Sequence, residues 1–147
     1  MFDISLDGET TFWPDMNCIG MVGKIRLGNF AEPFVAPLMY WGVDDYRHHW
    51  RAAIAHLLEE DQPTCLITEI FGTDEDDMIQ WWLLYPDGIE IIAQQQLTDL
   101  ASFSPPFSPS EPWRSIPPRN PQDKGELVPS EWRIDRESVV NWYVRAR

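Results

Sequence analysis

The chain has 147 residues, 44% hydrophobic and 13% aromatic, enough for one domain with its own core and too few for two. Eight tryptophans exclude a wholly disordered chain, two cysteines exclude a disulfide framework or a four-cysteine zinc site, and no apolar run approaches the roughly 20 residues that cross a bilayer. A formal net charge of −13, from 24 acids against 11 Lys and Arg, disfavours direct contact with a phosphate backbone and favours a basic partner.

Residues 1–19 carry four acids, no base and no clear period, which reads as a loosely held N-terminal arm before a domain spanning 20–147. The pair Phe12-Trp13 is placed to anchor that arm. The acidic start MFDISLDGET is the reverse of a secretory signal peptide, so the expected location is the cytoplasm, with no membrane contact. Met21 to Leu27 alternates, with Met21, Gly23, Ile25 and Leu27 on one side: a half-buried strand. After Gly28-Asn29, residues Phe30 to Ala36 are extended, and Pro33 and Pro37 mark an edge or an irregular segment.

The clearest helix follows. Gly42 is the N-cap, Asp44 and Asp45 suit the positive end of the macrodipole, and Tyr46, Trp50, Ile54 and Leu57 recur at helical spacing with Ala53 beside them. Asp61 and Pro63 end it. Three strands are expected next: Thr64 to Phe71, Ile79 to Tyr85 and Ile89 to Gln95. Pro86-Asp87-Gly88 turns the last two. Gly72 to Asp77 joins the first two and carries four consecutive carboxylates, so an antiparallel meander with an acidic tip is predicted. Seven prolines in 102–121 keep any helix there short, with a start at Ser108-Pro109 and an end near Ile116. Trp132 to Ile134 is a short strand, and Asp135 caps a helix over 136–145 with Val139, Val140 and Tyr143 on one face. The fold class is α+β: one domain of antiparallel sheets packed with a long helix and a C-terminal helix.

Reactive constellations are weak. His48, His49 and His56 lack the i, i+4 spacing of a helical metal site and read as surface histidines. The acidic run 74–77 lacks the spaced ligands of a calcium loop, and Cys65 in an apolar strand reads as an inert buried thiol. No metal and no cofactor is expected. A carboxylate pair remains available for a small hydrolase or isomerase, since 24 acids make many pairs. Adjacent Trp81 and Trp82 point to opposite faces of a strand, so either both faces are covered or one Trp is a contact residue; Trp41 and Trp113 carry the same two readings.

Between Arg51 and Arg114 there is no Lys or Arg, but there are twelve acids: Glu59, Glu60, Asp61, Glu69, Asp74, Glu75, Asp76, Asp77, Asp87, Glu90, Asp99 and Glu111. A polyanion of this kind suits a basic protein partner. Candidate contacts are Asp74, Glu75, Asp76 and Asp77 on the hairpin tip, Glu59, Glu60 and Asp61 at the helix end, and Trp82.

Four segments together resemble a known family: Lys24-Ile25-Arg26-Leu27-Gly28-Asn29-Phe30; Pro37-Leu38-Met39-Tyr40-Trp41 running into Tyr46 and Trp50; Ile79-Gln80-Trp81-Trp82-Leu83-Leu84-Tyr85 before Gln94-Gln95-Gln96-Leu97; and Ile116-Pro117-Pro118-Arg119 before Ser130-Glu131-Trp132. Their order is similar to that of immunity proteins of bacterial contact-dependent growth inhibition, in the group that neutralises ribosomal-RNA-cleaving toxin domains. Gly42 and the triple Gln94-Gln95-Gln96 depart from that group's pattern. The resemblance implies a Whirly-like fold and a non-enzymatic cytoplasmic inhibitor, a monomer that binds one basic toxin nuclease domain in a 1:1 complex. A Whirly-like nucleic-acid binder is the competing reading, and it would need a basic groove that the middle of this chain lacks.

Overall fold

In the computed structural model, residues 1–14, 17–72, 76–119 and 131–146 are described. The longest strand of the first sheet is β3 (Cys18–Leu27), three residues longer than its alternating core. It turns through Gly28-Asn29 into β4 (Phe30–Pro37), with Leu27 opposite Phe30. Gly28 has φ +65, which a side chain would resist, and Gly88 plays the same part at φ +64 in the later two-residue turn. β4 keeps its register past Pro33 and Pro37 because, among the described residues, only β3 pairs with it; an edge strand can spare the missing donors.

The other side of β3 holds β1 (Phe2–Ser5) and β2 (Thr10–Trp13), laid end to end. β1 pairs with Lys24–Leu27 and β2 with Cys18–Met21. Phe2, Ile4 and Leu6 are at most 3% exposed, and Trp142 packs edge-on against Phe2 and donates its indole N–H to the Ile4 carbonyl at 3.3 Å. The start of the chain therefore belongs to the core, which corrects the expected loose arm. Its apolar residues alternate over too short a run to show a period, yet each one is buried. Phe12 is no anchor either: its ring is 58% exposed.

The helix α1 (Val43–Glu60) joins the two sheets and buries the expected stripe of Tyr46, Trp50, Ala53, Ile54 and Leu57. The second sheet runs β5 (Thr64–Gly72), β6 (Asp77–Asp87), β7 (Glu90–Asp99) and β8 (Glu131–Asp135) in that order, all antiparallel. This is the predicted meander with longer strands. Thr68 is an extra residue in β5, where the register slips between Ile67 and Glu69.

Both faces of this sheet are covered. Trp82 packs against Phe30 of the first sheet and Trp132 of its own sheet, with ring centroids 6.2 and 5.3 Å away. Trp81 lies under Phe103 and Phe107 of the proline-rich segment. That segment is tied down where Tyr85 donates to the Pro117 carbonyl at 2.9 Å. It forms 3-10 turns at Leu100–Ser102 and Pro112–Ser115, so the helix expected from Ser108-Pro109 is corrected to a single turn further along. Successive prolines leave too few N–H donors for more.

The helix α2 (Arg136–Arg145) starts after Asp135 as expected. Its buried pair is Val139 and Trp142, whereas Val140 is exposed. The i, i+3 spacing of the two buried residues faces β1 and α1. Among the described residues no helix is long and apolar enough to cross a membrane.

Candidate partner-binding surface

The placement of the acidic segments follows from how α1 meets β5. β5 is an edge of the second sheet, and its outward backbone groups would be costly if buried unpaired. Side chains of α1 satisfy them. The Ile67 N–H donates to His49 Nε2 at 2.9 Å, Trp50 Nε1 donates to the Ile67 carbonyl at 2.8 Å, and the Ile70 N–H donates to the Tyr46 hydroxyl at 3.2 Å. That hydroxyl donates onward to the Pro37 carbonyl at 2.7 Å, so it joins β4 to β5. The helix is thus locked antiparallel along the strand. The N-terminal end of α1 lies beside the end of β5, and its C-terminal end lies about 27 Å away for its 18 residues.

His49 is therefore not a surface histidine, which corrects that expectation. A sequence shows that it shares a helix with His48 and His56, not that a strand edge needs an acceptor there. Burial, with His48 nearby, lowers its pKa to about 3. Cys65 is buried as expected, and burial raises its thiol well above the ordinary value.

The predicted contact acids divide into two groups. Asp77 opens β6 beside the N-terminal end of α1, and its Oδ1 accepts the Tyr40 hydroxyl at 2.7 Å. Asp76 precedes it and is exposed, while Asp74 and Glu75 lie outside the described residues. Glu59, Glu60 and Asp61 are exposed at the far end of α1. Asp61 caps that end at φ 51 and receives Arg136 of α2 at 2.7 Å. The two groups lie at opposite ends of α1. Trp82, 1% exposed, is corrected from contact residue to core, because it is enclosed between the two sheets. Trp41 and Trp113 are half-buried, Trp41 against Tyr46 and His49 and Trp113 stacked on His56.

A third carboxylate site was not anticipated. Glu69 and Glu32 face each other between β5 and β4, and Gln95 donates to Glu32 at 3.1 Å. Burial, reinforced by Glu32, pushes the Glu69 carboxyl up to about 7. No sequence pattern links residues on strands of different sheets. Among the described residues no three His, Cys, Asp or Glu side chains gather to hold a metal ion.

The arrangement offers exposed charge and apolar surface around a core stiffened by aromatics. Comparison with known proteins decides what kind of protein this is. The family model described as CdiI N-terminal domain matches residues 36–142, most of the chain. The chain belongs to the CdiI family of immunity proteins. It is 25% identical over 120 residues to Immunity protein CdiI of Enterobacter cloacae subsp. cloacae, covering 82% of each chain. Its fold is shared with a chain of the CdiA-CT/CdiI toxin and immunity complex from Enterobacter cloacae, with a TM-score of 0.85 at 24% identity over 99% of this chain and 98% of that one. The resemblance to immunity proteins of contact-dependent growth inhibition holds, and so does the α+β architecture. Proteins of this CdiI family inhibit toxins and are not enzymes.

Proposed function

We propose that this immunity protein binds the C-terminal toxin domain of its own contact-dependent inhibition system inside the producing cell and keeps RNA from that domain's basic surface. The relative solved as a toxin and immunity complex supports a toxin domain as partner. The observation that carries the mode of action is electrostatic. The protein holds a formal charge of −13, and the acids Asp44, Asp45, Asp76 and Asp77 are exposed. A field of this sign draws a cationic nuclease groove and, once seated, competes with the phosphates that the groove is built to hold. Asp74, Glu75, Asp76 and Asp77 are the contact candidates; Glu59, Glu60 and Asp61 add to the field from the far end of α1. One immunity monomer per toxin domain is the proposed stoichiometry.

The test is calorimetry with the purified toxin domain encoded beside this chain, together with an RNA-cleavage assay. The expected result is a 1:1 complex that weakens as salt rises and cleavage that stops at equimolar immunity protein. The absence of a complex at low salt overturns the reading. A tight complex that still cleaves RNA overturns the occlusion mechanism.

A further inference from the structure

Acids alone steer a partner but seldom hold it, and stable interfaces have an apolar or aromatic centre inside a polar rim. Exposed large apolar side chains adjoin the acidic end. Phe12 and Ile19 are direct cross-strand partners on β2 and β3, 58% and 54% exposed. Period-two alternation along β3 puts Ile19 on the face that carries Ile25 and Leu27, which are buried. The core face of the first sheet thus runs on past the core as an open apolar ledge. Backbone and side-chain bonds tie this ledge to the acidic end. The Ile19 carbonyl accepts the Leu38 N–H at 2.8 Å. One residue on, Met39 Sδ accepts the Gly72 N–H at 3.2 Å, and next to it Tyr40, 52% exposed, donates its hydroxyl to Asp77. Phe12, Ile19 and Tyr40 therefore share one end of the molecule with Asp44, Asp45, Asp76 and Asp77.

Charge selects the occupant. The described residues of the segments that meet here, 10–14, 17–20, 38–45, 71–72 and 76–78, contain no Lys, Arg or His. A second copy of the chain would bring the same acids against these. A polypeptide with an apolar centre ringed by Lys and Arg would meet both features at once.

We infer that the toxin domain docks on this composite face, with Phe12, Ile19 and Tyr40 as its apolar anchors and Asp44, Asp76 and Asp77 as its anionic rim. This rests on the toxin-binding reading above and assigns a place to it. The Tyr40–Asp77 hydrogen bond orders the junction of anchor and rim, so the ring is held before the partner arrives.

The experiment is binding kinetics of the full chain and its variants with the purified toxin domain, each variant first shown to melt like the parent. Phe12→Ala, Ile19→Ala and Tyr40→Ala are each expected to weaken binding about tenfold or more, mainly through faster dissociation. Asp76→Asn with Asp77→Asn is expected to lower the salt dependence. If the parent binds and all of these variants bind like it, the toxin-binding reading stands and this face is wrong. If the parent itself does not bind, the toxin-binding reading fails first. If the parent is a dimer in solution that Phe12→Ala makes monomeric with toxin affinity unchanged, the face serves self-association and the inference is overturned.

Discussion

His49 and Glu69 are ionisable side chains held where the chain must pay for their charge, and they bend the pH profile in opposite directions. Folded His49 stays neutral down to about 3. Unfolded, it takes up a proton near its ordinary value of about 6.5, so its contribution to stability is complete above that pH and is lost as pH falls through the folded value. Glu69 keeps its proton up to about 7 when folded, against an ordinary value of 4.5. Its contribution is present below 4.5 and is lost as pH rises through about 7. His49→Gln, whose amide oxygen still offers an acceptor to the Ile67 N–H, is expected to flatten the acid limb of stability. Glu69→Gln is expected to gain on the parent progressively as pH rises from about 4.5 to about 7. Urea midpoints between about pH 4 and about pH 8 check both, and parallel profiles for parent and variants would refute them.

Among the secondary-structure elements, β1 is the one whose role the folded state redefines. Phe2, Ile4 and Leu6 are buried, and burying each contributes roughly 1.5–3 kcal/mol relative to exposure. Removing residues 1–6 also strips the partner of Lys24–Leu27 and the acceptor of the Trp142 N–H. The sum is comparable to the whole stability of a domain, roughly 5–15 kcal/mol, so the truncated chain is expected to lose its cooperative thermal transition. Circular dichroism reads this directly; a truncated chain that melts like the parent would restore the loose arm. The other elements show what kind of local signal survives into structure. α1 was legible because its stripe runs three turns between a cap and a proline, and the β6–β7 turn because Gly88 needs positive φ. The face of α2 was misread because Val140 and Trp142 are both apolar and only their neighbours decide which one is buried.

The summed charge acts over distances that single contacts do not reach. Glu59 and Glu60 lie about 27 Å from the proposed docking end, beyond the Debye length of about 10 Å at 0.1 M salt. Reversing both, Glu59→Lys with Glu60→Lys, is expected to slow association with the toxin domain severalfold at low salt, to leave dissociation unchanged, and to have no effect at high salt. Stopped-flow rates at two salt concentrations check this; faster dissociation would make the far end a contact.

Charge, class and most elements were already determined by the chain's own order of residues, because net charge is a sum and periodicity is local. The family was legible too, since its segments are short runs of neighbours. Which acids act together was decided only on folding. α1 lies antiparallel along β5 because its His49, Trp50 and Tyr46 side chains satisfy that strand's open edge, and this puts Asp77 beside Tyr40 and Asp61 beside Arg136 at opposite ends. The same docking of sheet on sheet buries Trp82 and leaves Phe12 with Ile19 in the open, because exposure depends on neighbours distant in the chain.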